Sequence, residues 1–550
     1  MGTSALQSSK PPQLPDRVIE IIEESSDKFT LRLLSTYGSQ RGHYITLSHR
    51  WGGSFTLKTT KNTLSDRAKG FAFKDLPRTF RDVVVVAKAM GILYVWIDSL
   101  CIVQDDEQEW LGQSVKMGSI YANSTFTIAA HSASQCNEGF LWRGQVSPWL
   151  RISPVSQLPG LTPLMDTDDD FEYGFEVLLP HLADFDLRDR FVQSEIARRA
   201  WILQELTLSP RILHFVENYL LWECEHKSPE IGGFPIETTA TVFRHIASNE
   251  TDSQGSTAFG IYTNWLKLVS RYTAYQMTKT EDKLIALAGI TRVWPQFVDK
   301  TTSQVRKEEH HCGVFQEDIE RSLLWYNCGK TATKLHMERA PTWSWASVDG
   351  EVDFLHLELL DDATLTKPLI QVLKVNHEDF NAPKESLVLK LSSLCTRPSW
   401  LSNFIKSHST NILPSPTCRL TIKAPFMSIT GAIEVARSQR LQNTPEKAPR
   451  WMAAITNREQ YTTYAWLIMD RNRGSEPQTQ AYKKEETTNF VAISGRRGKR
   501  IPERIVGAWC IVVKQSRGVI GAYQRIGMGY VRDKEIVNDA MKSLKEITLI

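Results

Sequence analysis

The chain has 550 residues, 41% of them hydrophobic and 23% charged, with a formal charge of +3 at neutral pH. That length accommodates about three or four domains, or two large ones, each able to bury a sizeable core. Sixteen tryptophans argue for rigid, well-packed domains over a disordered scaffold, and so small a net charge gives no ground for nucleic-acid binding.

The opening stretch MGTSALQSSKPPQLPD lacks the apolar core of a signal peptide. Gly2 invites a myristoylation reading, but Leu6 stands where that motif asks for Ser or Thr. No apolar run is long enough to span a bilayer. The expected location is therefore the cytoplasm, with the basic stretch 496–500 as a candidate nuclear address. The eight cysteines (Cys101, Cys136, Cys224, Cys312, Cys328, Cys395, Cys418 and Cys510) are scattered and form no C-x-x-C pair. They read as reduced core thiols, not as a disulfide framework or zinc site. His310-His311-Cys312 offers metal-binding residue types, but adjacent side chains do not easily chelate one ion, and no metal is expected.

In chain order, residues 1–40 form a Pro/Ser-rich lead-in with one strand near Phe29–Leu34. From Tyr44 to Ala130 strands and helices alternate. Tyr44–Leu47 is the first strand. Pro77–Met90 is a helix despite its VVVV run, because Phe80, Val83, Val84, Ala87 and Met90 follow the helical period. Pro77 starts it and Gly91 stops it. Leu93–Ile97 is an apolar strand, Asp105–Tyr121 a second helix and Ser124–Ala130 a third strand. Strands joined by such helices imply an α/β fold with a parallel, doubly covered sheet. The strands' C-terminal tips then share one edge, where such sheets bind ligands. Residues 150–190 are acidic and loop-rich. Trp201–Leu208 predicts a short helix and Arg211–Phe215 a strand. Residues 235–330 look helical, with Lys283–Ile290 ending in a glycine stop. The segments LIQVLKV, SLVLKLSSL and AWCIVVK predict a β-rich C-terminal half, and polar residues 470–504 read as a flexible surface loop.

Three tips converge in this architecture: Ser48-His49-Arg50-Trp51-Gly52-Gly53, Asp98-Ser99-Leu100-Cys101 and His131-Ser132. Asp98, directly after an apolar strand, either orients a ribose or catalytic partner or ties its own loop. Cys101, His49 and Asp98 would supply a thiol, a base and an orienter, although Cys101 in SLCIV also reads as a small core residue. Gly52-Gly53 permits close approach to a phosphate, but no P-loop or dinucleotide fingerprint is present. On the second helix Trp110, Gln113, Met117, Ile120 and Tyr121 share a face. Gln113 is then either a satisfied core amide or a polar group aimed at the ligand edge.

Four blocks, YITLSHRWGG, LPRTFRDVVVVAKAMGILYVWIDSLCIVQDD, MGSIYANSTFTIAA and RAWILQELTLSPRILHF, resemble in order and spacing the fungal heterokaryon incompatibility (HET) domain across Tyr44–Phe215. Ala340–Gly350 and the late GAYQRIGMGY resemble a region often found downstream of it. With the patterns above, the resemblance gives an expected division into a lead-in at 1–40, a HET domain at 41–220, a helical extension at 221–335 and a β-rich α+β region at 336–550. It also implies a TIR-like, flavodoxin-like parallel sheet and a role in fungal non-self recognition, innate immunity and programmed cell death. Assembly with itself or a partner signalling protein goes with that role. Some TIR domains cleave NAD with a helix glutamate, which makes NAD a candidate substrate or ligand. The family's usual glutamate, three residues after the helix tryptophan, is Gln113 here, and an amide cannot act as a general base. His49-Arg50 and Ala200 also depart from the pattern. Ser48, Trp51, Gly52, Asp98, Cys101, Gln104, Arg199, Trp201, Gln204 and Glu205 fit it. The candidate catalytic residues are thus Gln113, Glu205 and Asp98. The candidate ligand-binding residues are Ser48, His49, Arg50, Trp51, Gly52, Gly53, Asp98, Ser99 and Cys101.

Overall fold

The sheet begins with a hairpin, β1 (Arg17–Ser25) pairing antiparallel with β2 (Lys28–Ser35). The structure is a computed structural model that describes residues 11–25, 28–52, 57–141, 191, 194, 196–216, 219–224, 227–231, 234–236, 238, 240–241, 258–294, 310–328, 339–354, 366–376, 418–437, 451–457, 462–469, 485–497, 505–517 and 519–550. Gly53, the acidic stretch 150–190, the segment SLVLKLSSL and residues 498–500 of the basic stretch lie outside the described residues. The chain divides into two compact units, one of residues 1–109, 124–198 and 209–241, the other of residues 110–123, 199–208 and 242–550.

In the first unit, β3 (Tyr44–Ser48), β4 (Tyr94–Trp96), β5 (Phe126–Ala130), β6 (Arg211–Val216) and β7 (Tyr219–Cys224) complete a seven-stranded sheet in the order β2-β1-β4-β3-β5-β6-β7. The parallel pairings are those that join β4, β3, β5 and β6. β1 adds antiparallel to β4, and β7 antiparallel to β6. The expected parallel sheet is therefore a mixed one, because tight hairpins at both ends reverse the chain where no crossover helix intervenes. The lead-in contributes two strands instead of one. Helix α1 (Lys61–Lys69) precedes α2 (Arg78–Ala89), which buries Phe80, Val83, Val84 and Ala87 while Val85 stays exposed. That burial is the helical period expected for VVVV, with Pro77 as the N-cap and Gly91 at φ +67 beyond the end. A single turn, α3 (Asp98–Cys101), follows β4.

Helix α4 (Glu107–Ala122) enters the second unit at Trp110 and buries Gln113, Met117, Ile120 and Tyr121. This unit also holds α5 (Ile202–Thr207), α6 (Ala258–Thr273) and α7 (Ala288–Val293). Gly289 lies inside α7 and is not a stop. A Cβ there would meet Gln204 Oε1 at 2.5 Å and Gly118 Cα at 3.0 Å, so the glycine serves close backbone packing. The stretch 235–330 is only partly helical, since His310–His311 pairs with Val314–Phe315, and Trp325–Asn327 pairs with Val352–Phe354. The core of the unit gathers Trp265, Trp325, Trp343 and Trp345. The indoles of Trp345 and Trp325 donate to the carbonyls of Gly313 at 2.8 Å and Trp343 at 3.0 Å. APTWSWASVDG is thus an aromatic nucleus in which the Trp345 indole and the Trp343 carbonyl are bonded inward.

Within a nine-stranded sheet, Arg419–Arg437, Trp451–Asn457, Thr462–Met469, Ala522–Val531, Ile505–Gln515 and Glu485–Arg497 pair antiparallel in that order, and the last pairs back with the first to close a ring. Phe490, Ala492, Ala508, Cys510 and Val512 pack on one side around Val537 of α8 (Lys534–Lys542). Val491, Ile493, Trp509, Ile511 and Val513 join the tryptophan cluster on the other side. Burial on both faces explains the unbroken apolar run in AWCIVVK. Glu485–Arg497 corrects the loop expected over 470–504: its TTNFVAIS segment fills a ring position.

Lys283 is buried beside this nucleus, its Nζ donating to the Val348 carbonyl at 2.6 Å. Burial, with Arg339 nearby, holds its amine down to about 7. The folded protein therefore binds fewer protons than the unfolded chain between about pH 7 and the ordinary lysine range near 10, so stability should rise with pH across that window. Compared with Lys283→Met at pH 7 and pH 9, the unaltered chain should gain up to about 1.4 kcal/mol per pH unit in denaturant titrations. Parallel pH profiles for the two proteins would refute this.

Candidate functional site

β3 ends in the polar tip expected from its sequence. Ser48 and His49 are buried, Trp51 is half-buried and Arg50 points to solvent. Gly52 adopts φ +78, a conformation that glycine takes without strain. The His49 ring meets Phe80 of α2 edge-on at 5.1 Å, which fixes the loop's base against the helix.

Asp98, at the tip of β4, is joined to this loop directly. Its Oδ2 accepts the Trp51 indole N–H at 2.7 Å and its Oδ1 accepts the Ser99 amide at 2.7 Å. The α3 turn is tied further by Thr59, whose amide donates to the Ser99 carbonyl at 2.9 Å and whose hydroxyl donates to the Leu100 carbonyl at 2.6 Å. The Gln104 side chain donates to the carbonyls of Asp98 and Ile102, each at 3.1 Å. Ser48, His49, Arg50, Trp51, Gly52, Asp98, Ser99 and Cys101 therefore all belong to the β3 and β4 tips. Asp98 fixes the loop through both of its oxygens. Cys101 is packed as a core thiol. It is buried, and burial pushes it up to about 12, the opposite of the shift an attacking thiolate needs. Its carbonyl accepts Arg17 Nε at 2.9 Å, and Arg17 forms an ion pair with Glu109.

The tip beyond β5 is anchored by two residues that the sequence reading passed over. Asp82 Oδ2 accepts the amides of Phe140 at 2.8 Å and Leu141 at 3.0 Å. The Thr79 amide donates to the Cys136 carbonyl at 2.9 Å, and its hydroxyl accepts the Gly139 amide at 3.2 Å. The signal was present: an aspartate inside the apolar stripe of α2 must be buried and must find donors.

Gln113, Arg199, Trp201, Gln204 and Glu205 belong to the second unit. Gln113 and Glu205 are buried there. Gln204 Oε1 accepts the Gly289 amide at 2.7 Å. The Trp201 indole donates to Asp282 at 3.4 Å and meets Trp110 edge-on at 6.3 Å, with Lys279 Nζ 5.6 Å from the Trp110 ring. Burial of Asp282 pushes its carboxyl upward. His310 packs between Trp265 and Phe315, and burial with the adjacent His311 takes it down to about 3. Among the described residues, no three His, Cys, Asp or Glu side chains gather in a way that could hold a metal ion. No disulfide links the described cysteines.

The first unit thus presents a mixed α/β sheet whose parallel strands end in a loop locked by a tryptophan–aspartate hydrogen bond. Residues 44–205, which begin with β3 and end within α5, match the family model of Heterokaryon incompatibility protein (HET). The comparisons with curated proteins and with solved structures give no match.

Proposed function

We propose that this chain mediates fungal non-self recognition and triggers regulated cell death, with its HET-matching region serving as a signalling and assembly module in the cytoplasm. The observation that carries this reading is the family match over residues 44–205. The glutamine at position 113 supports a module that acts through assembly with a second copy or a partner protein, because an amide can bind and orient but cannot serve as a general base. Induced expression of the full chain in fungal hyphae should arrest growth and kill cells. Trp51→Ala, which removes the indole from Asp98, should reduce that killing at equal protein level. Normal growth with the unaltered protein confirmed by immunoblot would defeat the reading.

A second reading, a TIR-like NAD glycohydrolase, draws on the β3 and β4 tips. An exposed guanidinium (Arg50), an indole (Trp51) and a fixed carboxylate (Asp98) offer complementary groups for a phosphate, a base ring and ribose hydroxyls. Incubation of the purified chain with NAD distinguishes the two. The assembly reading expects no nicotinamide release from the unaltered chain, even when concentrated. Release by the unaltered chain would favour the hydrolase, and release only by Gln113→Glu would assign the loss of activity to the missing carboxylate.

A further inference from the structure

A continuous line of polar side chains runs from the tip of β5, where His131 lies, across β6 to β7. The parallel β5–β6 register sets Ala129 opposite His214 and places His131 just beyond the strand end. In the antiparallel β6–β7 pair Ile212 faces Glu223, so His214 and Glu223 are diagonal neighbours on one face. Glu223 Oε2 lies 2.8 Å from His214 Nε2, and His214 Nδ1 lies 3.0 Å from His131 Nε2. His131 Nδ1 in turn lies 2.7 Å from the hydroxyl of Ser194. Thr238 donates its hydroxyl to both Glu223 oxygens, at 2.9 and 3.1 Å. His131, His214 and Glu223 are buried, whereas Ser194 is only half-buried.

The chemistry of the donors sets the direction of every proton in this line. An ionised Glu223 only accepts, so His214 carries its proton on Nε2 and presents a bare Nδ1. That nitrogen accepts from His131 Nε2–H, which leaves His131 Nδ1 bare, facing the Ser194 O–H. The serine oxygen accepts the Ala197 amide at 3.3 Å. These tautomers are assigned from the hydrogen-bond geometry. Each hydroxyl or imidazole proton points toward the carboxylate, the orientation needed to draw a proton off Ser194. Burial, with His214 adjacent, keeps His131 neutral well below the ordinary imidazole range, so the base stays available in mildly acidic solution.

We propose that Ser194 is the nucleophile of an acyl-transfer site, with His131 as its base and with His214 and Glu223 as the relay that orients and charges that base. Ser194 Oγ attacks the carbonyl carbon of an ester, forming the Oγ–C bond while its proton passes to His131 Nδ1. Collapse of the tetrahedral adduct breaks the bond to the leaving alkoxide, which takes that proton. Water then donates a proton to His131, bonds to the acyl carbon and releases Ser194, which regains the proton. Phe191 stacks on His131 at 4.6 Å and clusters with Val216, Leu221 and Ile236, which favours an apolar acyl group. No G-x-S-x-G elbow surrounds Ser194, so the motif that usually flags such a serine is absent.

The test uses the full chain and an alkyl fluorophosphonate, which forms an Oγ–P bond and expels fluoride. One adduct at Ser194, located by peptide mass spectrometry and lost in Ser194→Ala, is expected. Glu223→Gln should slow labelling about 100-fold, the scale of a general-base contribution. Thr238→Val, which removes the hydroxyl that Glu223 accepts and that itself accepts the Thr241 amide at 2.9 Å, should slow it several-fold in a protein whose melting curve still shows a folded state. Labelling should persist in mildly acidic buffer for the unaltered protein. A folded protein that takes no label, or takes it elsewhere, overturns the proposed nucleophile. Labelling at Ser194 that is unchanged in both folded relay variants overturns the relay.

Discussion

Asp82→Ala should destabilise the first unit by about 3 kcal/mol, the cost of leaving buried donors without their charged acceptor. The aspartate is fully buried and accepts two backbone amides from the segment after β5. Neither amide can recruit a replacement from an alanine methyl group. The neighbourhood leaves little slack, because a Cβ on Gly139, at φ +78, would lie 2.6 Å from Asp82 Oδ2. Asp82→Asn keeps an acceptor oxygen and should lose less than half as much. Hydrogen exchange of the β5 amides in increasing urea reports this unit separately from the rest of the chain. Equal protection in Asp82→Ala and the unaltered protein would show that the carboxylate does not anchor the tip.

Gly289→Val should be the most damaging change in the second unit, with an expected loss of about 3 kcal/mol from overpacking. A Cβ at Gly118 would also meet the Gly289 backbone, at 3.0 Å, so α4 and α7 touch through two glycines. The extra atoms at position 289 would displace Gln204 Oε1 from the Gly289 amide it accepts, leaving a buried amide and a buried side chain poorly bonded. Gln204→Ala should cost less, about 1–2 kcal/mol, because it removes the hydrogen bond without forcing the backbones apart. Thermal unfolding of the three proteins ranks them, and a Gly289→Val melting temperature at or above that of Gln204→Ala would contradict the close-packing account.

The parallel heart of the sheet was legible because β3, β4 and β5 are short apolar runs bounded by turn residues and separated by a strongly periodic α2. The locations of Ser48, Trp51 and Asp98 followed from strand ends alone. β1 was hidden by its glutamates, Glu20, Glu23 and Glu24, which break the apolar pattern on an otherwise buried strand. β7 was hidden more thoroughly, since it alternates in the reverse of the usual sense. Leu220 and Trp222 face outward while Glu223 is buried, and His214 and Thr238, both separated from it in sequence, supply the hydrogen bonds that make that burial tolerable. Asp98's partner was likewise unreadable: nothing local to either residue indicates that the Trp51 indole closes on it across 47 positions. The glycine expected to stop a helix at 289 was selected by a neighbour contributed from position 118.

The sheet order has a practical consequence for where the molecule can be cut. Residues 44–205 contain β3, β4 and β5 but none of β1, β2, β6 or β7. The strands that flank this trio, β1 against β4 and β6 against β5, come from either side of the stretch that matches the family model. A fragment trimmed to the family limits would bare both borders of a parallel sheet, the arrangement most prone to recruiting foreign strands. The segment that matches the family model is therefore not what folds as one. A recombinant piece meant to keep the tryptophan–aspartate tip in shape has to start before Arg17 and run past Cys224.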